Sequence, residues 1–337
     1  MKYLKQAVIL IILFSTIISC NRNRLKINVS DIEVDLSVKR LDKDIFEIDT
    51  VFMERSVEGI IEDYGEFFHI FTYKIINIGG ADDENFHELL KMYLADTMIL
   101  NTKRYVEDTF GNFSKTEKYL NKAFQHYKHY FPEKEIPKVY TCISGFNQSL
   151  VTSVNIIGIS LDKYLGKDFI YYKQLGIPKY KLQKMYKERI TSDVMYSWAL
   201  TEFENKNPES NLLNQMIYEG KLMYFVDAML PDVHDTIKIG YTGEQLKWCE
   251  NNEAQMWFKL IEDKKLFVTG RMDIKRMIGD GPYTNGFPLE SPGKTGVWLG
   301  WQIVRTYMGK HPETTLPKLM EMDNAQKLLN DSGYFPE

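Results

Sequence analysis

The side chains with the clearest potential for chemistry lie on two consecutive predicted helices in the second half of the sequence. The first helix falls within ERITSDVMYSWALTEF, from Glu188 to Phe203, and carries Asp193 among residues that are apolar on more than one side. The second carries Glu219, followed by Gly220, between apolar neighbours. A helix that is apolar on several sides is buried, and an unpaired buried carboxylate is costly. Two interpretations therefore stand: the carboxylates face a functional cleft, or a neighbouring Arg, Lys or Tyr satisfies them.

Several common catalytic and metal-binding patterns are missing from the sequence. Zinc proteases use HExxH, in which two histidines four residues apart reach one ion, whereas His87-Glu88 is followed by Lys91 in the fifth position. His126 and His129 share a helical face, and we interpret them as surface or groove residues beside aromatic side chains. There is no G-x-S-x-G motif and no phosphate-binding loop with its lysine. The sequence therefore predicts no metal and no cofactor.

Composition limits the classes of partner. The chain has 337 residues, of which 44% are hydrophobic and 26% charged, with a formal net charge of -4. This composition is globular, and its acidic balance does not attract nucleic acid, so we predict no nucleic-acid partner. Cys142 and Cys249 could form one disulfide or remain two buried thiols. The strand-like surroundings of Cys142 favour burial.

The first twenty residues, MKYLKQAVILIILFSTIISC, differ from the rest. A basic start, a short apolar run and small residues before the cut are typical of a signal peptide. Ser19 before Cys20 further indicates a bacterial lipoprotein signal, although the usual Leu is missing. We predict a signal peptide over residues 1–19 and a lipidated Cys20 with a tether over residues 20–30; an ordinary secretory signal with a chance Cys is the alternative. Two or more acyl chains would anchor the protein firmly in a membrane.

The remainder, residues 31–337, is predicted to be a single α+β domain that is rich in helix and has a small sheet. In chain order, periodicity predicts an early strand within residues 27–38, helices over 52–130, strands at Val139–Ser144 and Val154–Leu161 joined by a polar turn, and helices at about 180–204, 211–230, 243–263 and 295–309. The Gly- and Pro-rich stretch 276–296 is predicted to be a long structured loop. Glycine inside a helix costs about 1 kcal/mol, so Gly220 predicts the close approach of another backbone.

Four segments together carry a resemblance to the GldB gliding-motility lipoproteins of Bacteroidetes: ISGFNQSLVTSVNIIGISLDKYLGKDFIYY, RITSDVMYSWALTEF, YEGKLMYFVDAMLP and GKTGVWLGWQIVRTYM. The resemblance covers essentially the whole chain, including the lipoprotein signal. It implies a lipid-anchored protein of the cell envelope, in the inner or the outer membrane, that is required for gliding. Its partners would be other envelope proteins of the gliding machinery. No known catalytic activity is implied, so we expect a non-catalytic binding or assembly component.

A second resemblance concerns mechanism. The order of strand, long helix, E-G helix and G-x-x-x-G-W helix is similar to a family of predicted zinc proteases, which implies a zincin-like fold. In the best register, Ser192-Asp193-Val194-Met195-Tyr196 occupies the place of HExxH. Ser192 and Tyr196 then replace both histidines, Asp193 replaces the catalytic Glu, and Glu219 alone persists as the third ligand. Hydroxyls are poor zinc ligands beside imidazole, so we expect a degenerate, metal-free cleft at these four residues.

The same resemblance implies that the strand around Ile156–Leu161 is an edge strand that holds substrate. We therefore expect the groove to bind an extended peptide by strand addition. The alternative is a peptidase or another hydrolase that uses the same cleft.

Overall fold

Helices make up most of the structure, with one small sheet near the middle of the chain, which confirms the predicted α-rich α+β class. The computed structural model describes residues 24–207 and 211–337. The predicted signal peptide and Cys20 lie outside these residues. Within the described ranges, no helix is long and apolar enough to cross a membrane.

The first half of the chain is a short strand followed by helices, as predicted for residues 52–130. The elements are β1 Val38–Arg40, α1 Leu41–Asp44, α2 Met53–Tyr64, α3 Glu66–Ile70 with a π-helical turn Phe71–Ile75, α4 Phe86–Ala95, α5 Thr97–Phe110 and α6 Ser114–Tyr130. The strand predicted within residues 27–38 is wrong except at its end, because side chains of α6 bind the carbonyls that a strand would pair. Gln125 Nε2 donates to the Ile32 carbonyl at 2.9 Å, and Asn121 Nδ2 donates to the Val34 carbonyl at 3.4 Å.

The sheet contains four strands in the order β1-β2-β4-β3, with β2 at Lys138–Cys142, β3 at Leu150–Ser153 and β4 at Ile156–Ser160. β2 is parallel to both β1 and β4, and β3 is antiparallel to β4. The expectation that Ile156–Leu161 forms an edge strand is wrong, because β3 covers it. The segment predicted as a polar turn therefore supplies one edge of the sheet, and β1 forms the other.

A buried carboxylate fixes the loop that leads from β2 to β3. Asp162, which follows β4, accepts hydrogen bonds from the backbone N–H groups of Ser144 and Phe146 at 2.8 and 2.6 Å. The Ser144 hydroxyl donates to the same carboxylate at 2.9 Å. Both Gly145 and Phe146 have a left-handed backbone here, which is costly for a phenylalanine. Asp162 holds this turn, and thereby sets where β3 begins.

The second half of the chain is helical. Its elements are α7 Ile170–Gln174, α8 Lys179–Leu182, α9 Ile190–Glu202, α10 Leu212–Met229, α11 Asp235–Ile239, α12 Gly243–Asn251, α13 Glu253–Glu262, α14 Arg271–Ile278, α15 Thr295–Lys310, α16 Leu316–Glu321 and α17 Ala325–Ser332, with 3₁₀ turns at Leu161–Lys163, Lys187–Arg189 and Lys265–Phe267. The four long helices predicted here are confirmed in outline, although the first begins later and the third is split at Asn252. The predicted long loop is shorter, since its first residues belong to α14.

Helix α10 lies at the centre, since 15 of its 18 residues are buried, and it crosses α15 at very short range. A Cβ atom built on Gly300 would overlap the Met216 carbonyl, and one built on Gly220 would overlap the Gly300 carbonyl. The crossing therefore depends on two glycines that face each other. This confirms the prediction that another backbone approaches Gly220 closely.

Beyond the crossing, α10 and α15 share a buried network of charges around Asp227. Its carboxylate accepts from Lys238 Nζ at 2.7 Å, Trp301 Nε1 at 2.8 Å and Arg305 Nε at 2.7 Å. Arg305 also binds Asp235 through two nitrogens, at 2.6 and 2.9 Å, and its guanidinium stacks 3.8 Å from the Trp301 ring centre. Because each buried charge meets its opposite with hydrogen bonds, the network is tolerated in the core.

Other buried polar side chains distinguish between the alternatives left by the sequence. Cys142 and Cys249 are both buried and unbridged, which confirms the two-thiol alternative. His126, interpreted from the sequence as a surface or groove residue, is instead fully buried, while His129 is exposed against Tyr130. Burial, with the charge of Lys122, lowers the pKa of His126 to about 4, so its ring is neutral at physiological pH.

The glycine crossing can be tested within one helix. We expect Gly300→Ala to lower the free energy of unfolding by about 2–3 kcal/mol or more, because the new methyl group overlaps a backbone that cannot move alone. Gly309→Ala in the same helix is the matched control, since its Cβ would meet open space and should raise stability by up to about 1 kcal/mol. Urea unfolding followed by circular dichroism measures both. Equal stability of the two variants would contradict the proposed constraint.

Candidate functional site

The first contact of the candidate site joins α9 to α10. Tyr196 Oη donates a hydrogen bond to Glu219 Oε2 at 2.5 Å, and both side chains are half-buried. Burial raises the pKa of Glu219, while the Tyr196 hydrogen bond and the charge of Lys294 offset part of that rise. Burial and the neighbouring Glu219 carboxylate raise the pKa of Tyr196 well above its ordinary value. Tyr196 therefore stays protonated and acts as a donor.

Asp193 lies on the same helix, but its partners are different. It forms an ion pair with Arg189 one turn earlier and accepts from Tyr164 Oη at 3.1 Å. Arg189 is buried, and it also donates to the carbonyls of Ile237 at 2.5 Å and Lys238 at 3.5 Å. A carboxylate paired in this way is neutralised by its surroundings. Of the two interpretations of these acids, satisfaction by neighbouring side chains describes both, since Arg189 pairs with Asp193 and Tyr196 donates a hydrogen bond to Glu219.

Lys294 completes the site, and nothing in the sequence singled it out. It precedes α15 with a left-handed backbone, φ 54°, a conformation that costs a non-glycine residue about 1 kcal/mol or more. Hydrogen bonds on either side hold it there. Tyr241 Oη donates to the Gly293 carbonyl at 2.7 Å, and the Thr295 N–H donates to Thr284 Oγ1 at 3.1 Å. The Gly- and Pro-rich loop therefore presents this lysine in one fixed position.

The amine of Lys294 is unusual in its surroundings. No hydrogen bond or ion pair joins its Nζ to another residue of the described chain. Burial, together with the charges of Lys184 and Arg189, lowers its pKa to about 8, while the charges of Asp280 and Glu219 act in the opposite direction. At the rim, Lys184 and Asp280 pair at 2.5 Å. A half-buried amine that titrates near neutrality is a feature of functional sites.

The four residues predicted to form the cleft do not all meet. The structure brings Tyr196 and Glu219 into direct contact and places Asp193 in a separate ion pair on the same helix. Ser192 is buried beside another cavity, and its hydroxyl has no hydrogen-bond partner. Among residues 24–207 and 211–337, no group of three His, Cys, Asp or Glu side chains is placed to hold a metal ion. The candidate site therefore consists of Tyr196 and Glu219 in direct contact with Lys294 nearby, and the ion pair of Asp193 with Arg189 is separate from the Tyr196–Glu219 contact.

The charge environment of Lys294 gives a titration with predictable signs. Only the neutral amine reacts with an acylating reagent, so labelling of Lys294, measured by mass spectrometry, should be half-maximal near pH 8. Glu219→Gln and Asp280→Asn each remove a negative neighbour and should shift that midpoint to lower pH. Lys184→Gln removes a positive neighbour and should shift it to higher pH. A midpoint near 10.4, the ordinary value for lysine, would contradict this description of the cleft.

Comparison with known protein families gives a match over almost the whole chain. The model of a family described as "Gliding motility protein GldB" matches residues 22–336. No curated protein and no solved structure matches the chain. The short name of the family, GldB_lipo, marks its members as lipoproteins. Because the match spans almost every residue, the chain belongs to the GldB family of gliding motility proteins.

Proposed function

We propose that this protein serves gliding motility as a non-catalytic binding component, and that it takes an extended peptide of another envelope protein along the free edge of β3. The observation that carries the proposal is the position of that edge. β3 pairs with β4 on one side only, its four residues are half-buried, and it lies against α9, the helix of the cleft.

Hydrogen bonding within the sheet identifies the free groups of β3. The Ser160 N–H donates to the Ser149 carbonyl at 2.9 Å, so the pair Ser149–Ser160 is hydrogen-bonded. In an antiparallel ladder such pairs alternate. Leu150 and Thr152 therefore direct their N–H and C=O groups away from β4, where a further strand can pair with them.

The side chains of β3 place this edge beside the cleft helix. Thr201 Oγ1 on α9 donates to Thr152 Oγ1 at 2.7 Å. Leu200, next to it, is 39% exposed. A peptide added to β3 would run beside α9, the helix that carries Tyr196. Main-chain pairing would supply affinity, and the polar cleft would supply selectivity.

The zincin-like resemblance supports the same binding geometry. In the resembling proteases, an extended substrate lies on an edge strand beside the long helix. Here β3 would take that part, with Ser192, Asp193 and Tyr196 in the positions of the metal motif. We propose that the binding geometry is retained while the residues for catalysis are replaced.

The lipid anchor is also part of the proposal. Arg24 Nη2 donates to the Met308 carbonyl at 2.8 Å, at the end of α15. Only residues 21–23 separate Arg24 from Cys20, a distance of at most about 14 Å for four extended residues. A lipidated Cys20 would hold the domain directly at a membrane of the cell envelope.

Strand addition is tested at Thr152 with two matched variants. Thr152→Pro removes the outward N–H and blocks pairing, and proline is tolerated at such edge positions. Thr152→Val removes the hydroxyl contact to Thr201 and keeps the N–H. In cells that carry each variant as the only copy, we expect colony spreading to be lost with proline and kept with valine, at similar melting temperatures. Normal spreading of a stable Thr152→Pro strain would rule out the edge as the binding site.

One observation favours the second candidate, a hydrolase that uses the cleft. The Lys294 amine can be neutral near pH 8 and lies in the same cleft as a carboxyl and a tyrosine hydroxyl, groups that can exchange protons. Lys294→Arg keeps the positive charge but cannot lose its proton near neutrality. For a binding role we expect this variant to keep gliding.

A hydrolase predicts the opposite outcome. Loss of gliding in a folded Lys294→Arg protein, together with peptide cleavage that falls by about 100-fold or more in that variant, would establish catalysis. Glu219→Gln provides the control for the neighbouring acid, since it keeps the acceptor for Tyr196. The substitution Thr152→Pro separates the two roles, because it leaves the amine untouched.

A further inference from the structure

A second concavity lies on the other side of α9 from the edge strand. It has a volume of about 510 Å³ and lies between the junction of α5 and α6, the start of α9 and the connection from α10 to α11. Ligand pockets in proteins usually fall between about 300 and 1,000 Å³. Its buried apolar lining includes Phe110, Ala123, Met229 and Leu230. The size and the lining suit the apolar body of a small molecule.

One polar group at this cavity is left without a partner. Ser192 is 1% exposed, and its Oγ meets no hydrogen-bond donor or acceptor in the described chain. A buried hydroxyl without a partner costs free energy. Thr191 beside it is also buried and lines the same space. A bound molecule with a polar atom near Ser192 would recover the missing hydrogen bond.

The rim of the cavity carries an excess of unpaired positive charge. Lys122 is paired with Asp232 at 3.0 Å, but Lys115 and Lys187 are exposed and form no ion pair with another described residue. Glu188 is the one unpaired acid on the rim within the described ranges. Two free lysines against one free glutamate favour an anionic group at the mouth.

We propose that this cavity binds an amphipathic monoanion of the long-chain carboxylate class. The carboxylate would accept a hydrogen bond from the Ser192 hydroxyl, with the flexible side chains of Lys115 and Lys187 nearby at the mouth, and the chain would lie on the apolar lining. This site is separate from the β3 edge, so it does not depend on the peptide-binding proposal.

The experiment uses the full-length protein in lipid nanodiscs and a photoreactive diazirine derivative of laurate. We expect saturable labelling of peptides that contain Phe110, Met229 or Leu230, located by mass spectrometry and suppressed by excess laurate. Labelling spread over the surface without saturation would overturn the proposal. Thr152→Pro should label normally, so failure here is distinguishable from failure of the edge-strand proposal.

Three variants test the role of each part of the cavity. Ser192→Leu fills the space, removes the unpartnered hydroxyl and should abolish saturable labelling without lowering the melting temperature. The double variant Lys115→Gln/Lys187→Gln should raise the laurate concentration needed for competition about fivefold and leave competition by uncharged dodecanol unchanged. Lys118→Gln, an exposed lysine of the same helix outside the cavity, is the control and should change neither. Unaltered labelling in a stable Ser192→Leu protein would overturn the assignment.

Discussion

The close crossing of α10 and α15 is the constraint on which the rest of the structure depends. Gly220 and Gly300 allow the two backbones to touch, so both helices are fixed in rotation as well as in distance. Glu219 is thereby turned toward the cleft, next to the residue that makes the crossing. On the far side, the same geometry brings Arg305 against Asp227. One contact between main chains thus positions both the candidate site at Glu219 and the ion network around Asp227.

The candidate site and the ion network around Asp227 contain similar types of charged residue, but these residues are paired more completely in the network. Every charge around Asp227 has a direct partner, which makes that cluster a structural element. At the candidate site, Asp193 and Glu219 are satisfied by Arg189 and Tyr196, whereas the Lys294 amine and Arg189 Nε have no hydrogen-bond partner among the described residues. The loop holds the Lys294 amine in one position through a left-handed backbone. An amine held in this way and without a direct partner suits recognition of a charged or polar atom. Lys294 is also the residue that distinguishes the two candidate functions, because a hydrolase would need its amine to lose a proton and a binding role would not.

Much of the helical framework could be predicted from the sequence, because long helices repeat their apolar positions and Gly220 required a close neighbour. The edge strand could not, since β3 is four residues long and sits within a polar stretch that resembles a turn. Its position depends on Asp162, which is eighteen residues from the Ser144 that it binds. The cleft was predicted in part. Periodicity identified Asp193 and Glu219, but their partners, and the presence of Lys294, follow from tertiary contacts that no local pattern encodes.

Helix α15 connects the N-terminal segment, at Arg24, to the candidate site, at Lys294. Arg24, the first residue described, binds the carbonyl of Met308 near the end of this helix, and Lys294 immediately precedes its start. The 16 residues of α15 span about 24 Å at 1.5 Å per residue. A ligand held at Lys294 would therefore be connected to the N-terminal segment through one continuous helix. A pulling load between Lys294 and Arg24 would act along the helix axis, so each turn of backbone hydrogen bonds would bear it in sequence, and the single Arg24–Met308 hydrogen bond would bear it as well.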